Sequence, residues 1–392
     1  MDHIEATMKN DKLTVVSLFC GLGGLDLGFH WEGFELLWAN DLEPHATESF
    51  TLNFGFKPRC GDLTQIPIDD IPYSDIIIGG PPCQSFSLVG KREPKDERGK
   101  LVFRFFEIIE RKQPRAFIME NVPGIASSMI NGTRLPDLLK KAYENLGYHV
   151  TVMEVMATDY LVPQRRKRVI MVGAKDFKPV RPNKIEYAHE CYGLDFNSYD
   201  LSALAAIGDL GPCTKRGGVA TYNDSEPSEF AKIMRAGNGS SFTLHETPRM
   251  SATDATIIQF IPPGGNFQDV PDAVATGRIM KFKQTGGRTT TYGRLHPDRP
   301  SYTINTYFRR PNVGCHFHYA EPRLITPREA MRFQSFPDYF NTVKAAQDKR
   351  NALIGNAVPP LMARALAWGI KKQMLEEGVN GEEMRLASGI AP

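Results

Sequence analysis

The chain has 392 residues, 41% hydrophobic and 23% charged, the proportions of a folded globular protein and not of a disordered one. At about 150 residues per domain, this length implies two to three domains. Lys and Arg number 47 against 45 Asp and Glu, a formal charge of +2, so any site for a polyanion must come from local clustering.

Short apolar runs at Leu13–Phe19, Glu35–Asn40, Ile76–Gly79, Ala116–Met119, His149–Met156 and Arg168–Val172 read as strands. Amphipathic stretches at Leu25–Trp31, His45–Asn53, Val102–Arg111 and Leu135–Leu146 read as the helices between them. This alternation predicts an α/β fold with a doubly wound, mostly parallel sheet over residues 12–180. From 181 to 343 the rhythm is lost and turn signals accumulate, such as Pro262-Pro263-Gly264-Gly265. A second, smaller, irregular domain with short strands is expected there. Helical pattern returns at Pro327–Phe333 and at Val358–Met374, the latter within a segment, 344–376, that rejoins the large domain. A tail, 377–392, follows.

The six cysteines form no CxxC pair, the closest two being Cys191 and Cys213, which argues against a zinc ribbon or dithiol motif and for reduced thiols. No metal is expected. The N-terminus is polar and the first apolar run is too short for a signal or a membrane span, so a soluble cytoplasmic protein with no membrane partner is expected.

In open α/β sheets, ligands bind beyond the carboxyl ends of the strands. The residues that follow each predicted strand here are unusual. The first strand runs into Phe19-Cys20-Gly21-Leu22-Gly23-Gly24 and the second into Asp41; a short extended piece ends at Asp62. The third long strand leads to Pro81-Pro82-Cys83-Gln84-Ser85, and the fourth to Glu120-Asn121. A glycine turn lets backbone N–H groups approach a ligand, and an acid 20 residues on can accept from ribose hydroxyls. Asp26 stands where a dinucleotide fingerprint would place its third glycine, which favours adenosine without phosphate over NAD. A purely structural turn, and a turn-capping role for Asp62, stay open at this level. Cys83 could be a nucleophile at a loop start or a small buried hydrophobe. A zinc deaminase pattern fails because Phe86 stands where its last cysteine ligand belongs. Gln164-Arg165-Arg166-Lys167-Arg168 is a basic turn, or a grip on an electron-rich oxygen. Between Arg278 and Arg310 eight cations, Arg288 and Arg294 among them, meet one acid, Asp298, a stretch suited to a phosphate backbone or to a solvated face.

Phe19-Cys20-Gly21-x-Gly23-Gly24, Pro81-Pro82-Cys83-Gln84, Glu120-Asn121-Val122, Gln164-x-Arg166-x-Arg168 and Gly355-Asn356-Ala357-Val358-Pro359-Pro360 occur in this order. The set resembles the ordered motifs of DNA (cytosine-5) methyltransferases of the bacterial restriction-modification type, over about residues 13 to 370. The resemblance implies a two-domain fold with duplex DNA in the cleft and S-adenosylmethionine on the large domain, released as S-adenosylhomocysteine. It implies that Phe19 stacks on adenine, that Gly21, Gly23 and Gly24 line the methionine side, and that Asp41 takes the ribose hydroxyls. Asp62 would meet the adenine amino group, Leu101 would pack on adenine, and Asn356 would help close the pocket. Cys83 would be the nucleophile and Glu120 the cytosine-binding acid, with Arg166 and Arg168 supporting the catalytic centre. Gln84 and Ser85 would open a loop over the DNA, and Arg294 would begin a motif framing the recognition region. The implied activity is methylation of carbon 5 of a flipped-out cytosine in a specific sequence, through a Cys83–C6 adduct. The enzyme would act as a monomer, with a cognate restriction endonuclease as its functional partner.

Three rivals remain at this level. An RNA cytosine methyltransferase would carry Cys-Phe-Thr, whereas Cys315 is followed by His316-Phe317. A non-catalytic DNA-binding module would not need the intact motifs. An NAD oxidoreductase leaves Cys83, Glu120 and the basic stretch unexplained.

Overall fold

The computed structural model describes residues 12–82, 100–130, 132–343 and 345–387, with side chains as far as Glu376. Cys83, Gln84 and Ser85, named above as candidates, lie outside the described residues.

The large domain is laid down as β1 (Thr14–Leu18), α1 (Gly24–Trp31), β2 (Glu35–Asp41), α2 (Pro44–Phe54), β3 (Arg59–Cys60), β4 (Ile76–Gly79), α3 (Lys100–Lys112) and β5 (Ala116–Asn121). A small hairpin, β6 (Met129–Ile130) with β7 (Thr133–Arg134), leads into α4 (Leu135–Asn145), β8 (His149–Met156), β9 (Gln164–Arg165) and β10 (Lys167–Ala174). One seven-stranded sheet has the order β3-β2-β1-β4-β5-β10-β8. The strands from β3 to β5 are parallel, and β10 runs antiparallel to both β5 and β8. The doubly wound, mostly parallel sheet expected from the sequence is therefore present.

Strand periodicity assigns the two faces. Val16, Leu18, Ile77, Phe117 and Met119 pack with Phe105 of α3 and Tyr143 of α4. Val15, Ile76, Ile78 and Ile118 pack on the opposite face with residues of α1 and the C-terminal helix. In α3 the buried Val102, Phe105, Ile108 and Ile109 recur at helical spacing, which fixes the side it turns to the sheet.

Beyond β10 the short strands expected from the sequence are present, but short helices that it did not predict outweigh them. Five short helices dominate: α5 (Lys184–Tyr192), α6 (Ala203–Ile207), α7 (Glu229–Arg235), α8 (Ala252–Ile257) and α9 (Gly277–Thr285). The strands are pieces of two or three residues: β11 (Ala220–Thr221), β12 (Ser241–Phe242), β13 (Gly293–Arg294), β14 (Ser301–Tyr302) and β15 (Cys315–Phe317). Ser and Thr side chains cap α6, α7, α8 and α9, signals that outweigh their weak periodicity. Ile257, Ile261, Phe267, Ile279, Tyr292 and Phe317 form a separate small core. Residues 184–192, placed with the second domain in the sequence reading, pack instead on the large one: Tyr187 Oη donates to the Leu361 carbonyl at 2.7 Å.

The last elements are α10 (Pro327–Phe333), α11 (Gln347–Asn356) and α12 (Pro360–Ala387). A capping box between Thr326 and Glu329 starts α10 where the sequence placed it. Helix α12 lies along α1 so closely that a Cβ on Gly28 would overlap the Arg364 backbone nitrogen. It continues to Ala387, past the boundary expected for the tail.

Candidate functional site

The glycine turn after β1 is built from left-handed backbone. Phe19, Gly21 and Gly23 have φ of 57°, 55° and 86°. Glycine adopts such angles without the cost a Cβ brings. A Cβ on Gly23 would also stand 2.5 Å from the Phe54 ring, and one on Gly24 would overlap the Val358 carbonyl oxygen. The segment before α12 is thereby pressed onto the first turn of α1.

Asp41 holds this turn. Its Oδ2 accepts from the Gly21 N–H at 2.8 Å and its Oδ1 from the Glu43 N–H at 2.9 Å. Each oxygen keeps a second lone pair, enough to receive a pair of hydroxyls. Burial raises its pKa, and the backbone donors of Glu43, Gly21 and Leu42 work against that shift. Asp62 performs the bland task allowed for it: Oδ1 accepts from Thr64 N and Oγ1, both at 2.9 Å. Its Oδ2 has no hydrogen bond among the described residues. Arg104 donates to the carbonyls of Leu63 at 3.2 Å and Ile66 at 2.7 Å, which ties the first turns of α3, with the half-buried Leu101, to the Asp62 turn.

The second cluster sits at the ends of β4, β5 and β10. Glu120 and Asn121 are not beyond the strand, as expected, but its last two residues, paired in register with Ile170 and Val169. Glu120 is 8% exposed, and Arg168 Nε stands 2.6 Å from its Oε1. Burial lowers the Arg168 pKa, and the Glu120 carboxylate offsets it. Asn121 Nδ2 donates to the Pro81 carbonyl at 3.0 Å, which fixes the chain two residues before Cys83 beside the Glu120 strand. A Cβ on Gly80 would lie 3.0 Å from Glu120 Oε2, so the same approach is tight at the acid itself.

The basic run Gln164–Arg168 alternates as extended chain should. Gln164, Arg166 and Arg168 are buried; Arg165 and Lys167 are exposed. Arg166 differs from Arg168 in its partners. Its Nη1 donates to the Ile304 carbonyl and its Nη2 to those of Gly355 and Ala357, each at 3.0 Å. Arg166 is thus a staple between segments, and only Arg168 touches Glu120. Asn356 sits at the end of α11 with an exposed side chain; its backbone neighbours, not its amide, press on the glycine turn.

A groove of about 510 Å³ opens beside this cluster, lined by Pro123, Arg165, Lys167 and Arg168 on one wall and by Arg288, Thr290, Tyr302, Asn305 and Tyr307 on the other. The walls are stitched at the floor by β9 and β14, where Ser301 and Tyr302 pair with Gln164 and Arg165. Arg288 is in this groove. Arg294 is not: its guanidinium donates to the carbonyls of Ile261, His318 and Ala320, at 2.9, 3.0 and 2.9 Å. Its place in a basic run concealed a structural role.

Tyr302 and Tyr307, interleaved in the basic stretch, also line the groove, whereas the sequence reading missed Arg165, for which the alternation within 164–168 was the available signal. No group of three or more His, Cys, Asp or Glu suited to a metal occurs among the described residues, and no described helix is long and apolar enough to cross a membrane.

This chain is similar to known proteins over most of its length. Type II methyltransferase M.NgoFVII of Neisseria gonorrhoeae is 34% identical over 92% of this chain and 87% of its own length. Type II methyltransferase M.AgeI of Thalassovita gelatinovora is 30% identical over 92% of this chain and 99% of its own. An E. coli prophage-encoded chain described as a DNA modification methyltransferase shares the fold, with a TM-score of 0.64 at 23% identity, over 92% of this chain and 99% of that one. Residues 13–372 match the family of C-5 cytosine-specific DNA methylases, and the chain, a DNA cytosine methyltransferase, belongs to that family.

Proposed function

We propose that this enzyme methylates carbon 5 of a cytosine extruded from a specific duplex sequence, with S-adenosylmethionine as donor and Cys83 as nucleophile. The observation that carries this reading is the Arg168–Glu120 pair, buried at the strand ends, with Asn121 anchoring Pro81 beside it and a basic groove opening in front.

The turn fits the donor. Three left-handed residues expose backbone at the end of β1, Asp41 keeps lone pairs for a ribose, and no Lys or Arg stands in residues 19–24 to receive a phosphate. Phe19, Gly21, Gly23, Gly24, Asp41, Asp62, Leu101 and the Asn356 segment would hold it. When bound, S-adenosylmethionine supplies an electrophilic methyl group on a sulfonium, and S-adenosylhomocysteine is what remains.

Cytosine C5 is too weak a nucleophile to take a methyl group unaided. Addition of the Cys83 thiolate to C6 forms a C–S bond and moves the C5–C6 electron pair onto C5. With a proton shared between its carboxyl group and N3, Glu120 hydrogen-bonds N3 and accepts from the exocyclic N4 amino group, which stabilises that adduct and rejects thymine. Arg168 holds the Glu120 carboxylate in place. Once the methyl group is on C5, loss of the C5 proton and expulsion of the thiolate restore the ring. A stacked base cannot reach the site, so the target must leave the duplex, at a cost of a few kcal/mol. Arg165, Lys167 and Arg288 hold the phosphates that flank it. We further infer a restriction-modification role, with an endonuclease of the same sequence specificity as functional partner.

The test is to incubate unmethylated DNA with the protein and S-adenosylmethionine and to map protected cytosines by bisulfite sequencing. Protection at one recurring sequence is expected, with none for Cys83→Ser. Unchanged turnover in that variant, or no covalent complex with 5-fluorocytosine in the mapped sequence, would overturn the mechanism.

A further inference from the structure

Asp26 has no part in the mechanism above, yet it lies two residues past Gly24, in the first turn of α1. It is 3% exposed, and among the described residues no partner meets regular hydrogen-bond geometry at either carboxyl oxygen. Acids in a first helical turn are ordinarily solvated or capping. This one is neither. The neighbouring donor is the Ser17 hydroxyl of β1, and the titratable groups that face it are Cys20 of the turn and Asp41 at the end of β2. Arg364, on the helix packed against α1, is engaged with Glu32 at 2.6 Å. The glycine turn is therefore flanked by the buried Asp26 and the half-buried Asp41, with no cation in ion-pair contact with either among the described residues.

We propose that Asp26 is a specificity-determining residue of the cofactor site, whose carboxylate favours the cationic methyl donor over the uncharged thioether product. The proposal rests on the assignment of S-adenosylmethionine to this turn. Donor and product differ by one methyl group and one positive charge, so shape alone discriminates weakly between them. A buried charge discriminates strongly, because Coulomb interactions are screened less away from water.

Burial pushes the Asp26 pKa up to about 7, so both protonation states are accessible at neutral pH. Asp41 adds to that shift and the Ser17 hydroxyl opposes it. The Cys20 thiol, raised by its own burial and by both acids, stays neutral. Arrival of a cation stabilises the Asp26 carboxylate and expels its proton. Arrival of the thioether does not. Preference for donor over product therefore grows as pH rises through the Asp26 transition, by about tenfold for one pKa unit of coupling.

The experiment is calorimetric titration of the full chain with S-adenosylmethionine and with S-adenosylhomocysteine between pH 6 and pH 8. In the wild type, the ratio of the product Kd to the donor Kd is expected to rise about fivefold more over this range than in Asp26→Asn. Equal pH dependence in the two proteins would overturn the proposal. Proton counting on the wild type, at pH 6.5 in two buffers of different ionisation enthalpy, decides the matter even if the variant does not fold. Proton release with the donor and none with the product supports the proposal; equal release refutes it. Failure of both ligands to bind would instead remove the cofactor assignment, and this inference with it.

Discussion

Arg166 and Gly355, 189 residues apart in the chain, are joined by a 3.0 Å hydrogen bond from Nη2 to the carbonyl oxygen. The same guanidinium holds Ala357 and Ile304, while the segment that follows presses on Gly24. One side chain thus fixes the groove wall, the end of α11 and the floor of the glycine turn relative to one another. Arg166→Ala would leave three buried carbonyls without their donor. A loss of about 3 kcal/mol of stability is expected, read by chemical denaturation. A variant as stable as the wild type would show that the staple is dispensable.

Glu120→Gln keeps the shape of the acid and removes the charge opposite Arg168. Methyl transfer is expected to fall about 1000-fold, with binding of DNA and of the cofactor retained. Single-turnover kinetics alongside a DNA-binding isotherm separate these effects. Retained transfer would take Glu120 out of the chemistry.

Arg288 and Arg294 look alike in the sequence and part company in the structure. Arg288→Ala should weaken DNA binding and reduce the slope of log K against log salt by about 1. Arg294→Ala should leave that slope unchanged and lower the melting temperature, because the Ile261, His318 and Ala320 carbonyls lose their donor. The opposite pattern would reverse the two roles.

His316 predicts an acid-sensitive fold. Burial lowers its pKa from 6.5 to about 4, and Asn305 Nδ2 lies 3.0 Å from its Nε2. The unfolded chain takes up a proton near pH 6.5 that the folded chain refuses until about pH 4. Stability is therefore full above pH 6.5 and declines through that window, by up to about 3 kcal/mol. His245 and His318, also lowered by burial, act in the same direction. Denaturation midpoints for wild type and His316→Gln between pH 4 and pH 7 should converge as pH falls. Parallel curves would exclude His316 as a source of the decline.

The large domain was legible because its strands and helices obey two clean periods. Ile76–Gly79 and His149–Met156 have the bounds the apolar runs gave them. The antiparallel turn at β10 was not legible, since a strand's direction depends on its connection and not on its composition. In the second domain, helices of five to nine residues such as α6 and α9 are too short to show a period. Their Ser and Thr caps were present but unread. At the site, residue types announced Glu120 and Asp41, while the roles of Arg166 and Arg294 depended on carbonyls far away in sequence.

Gly28 has one further consequence. The first helix is completed by the last, because α1 has no Cβ there and receives the backbone of α12. A nascent chain still on the ribosome lacks that support until α12 emerges. The glycine turn therefore matures only once α12 has been made, and a stop codon before Pro360 would yield a chain that keeps most motifs and lacks the support of that turn.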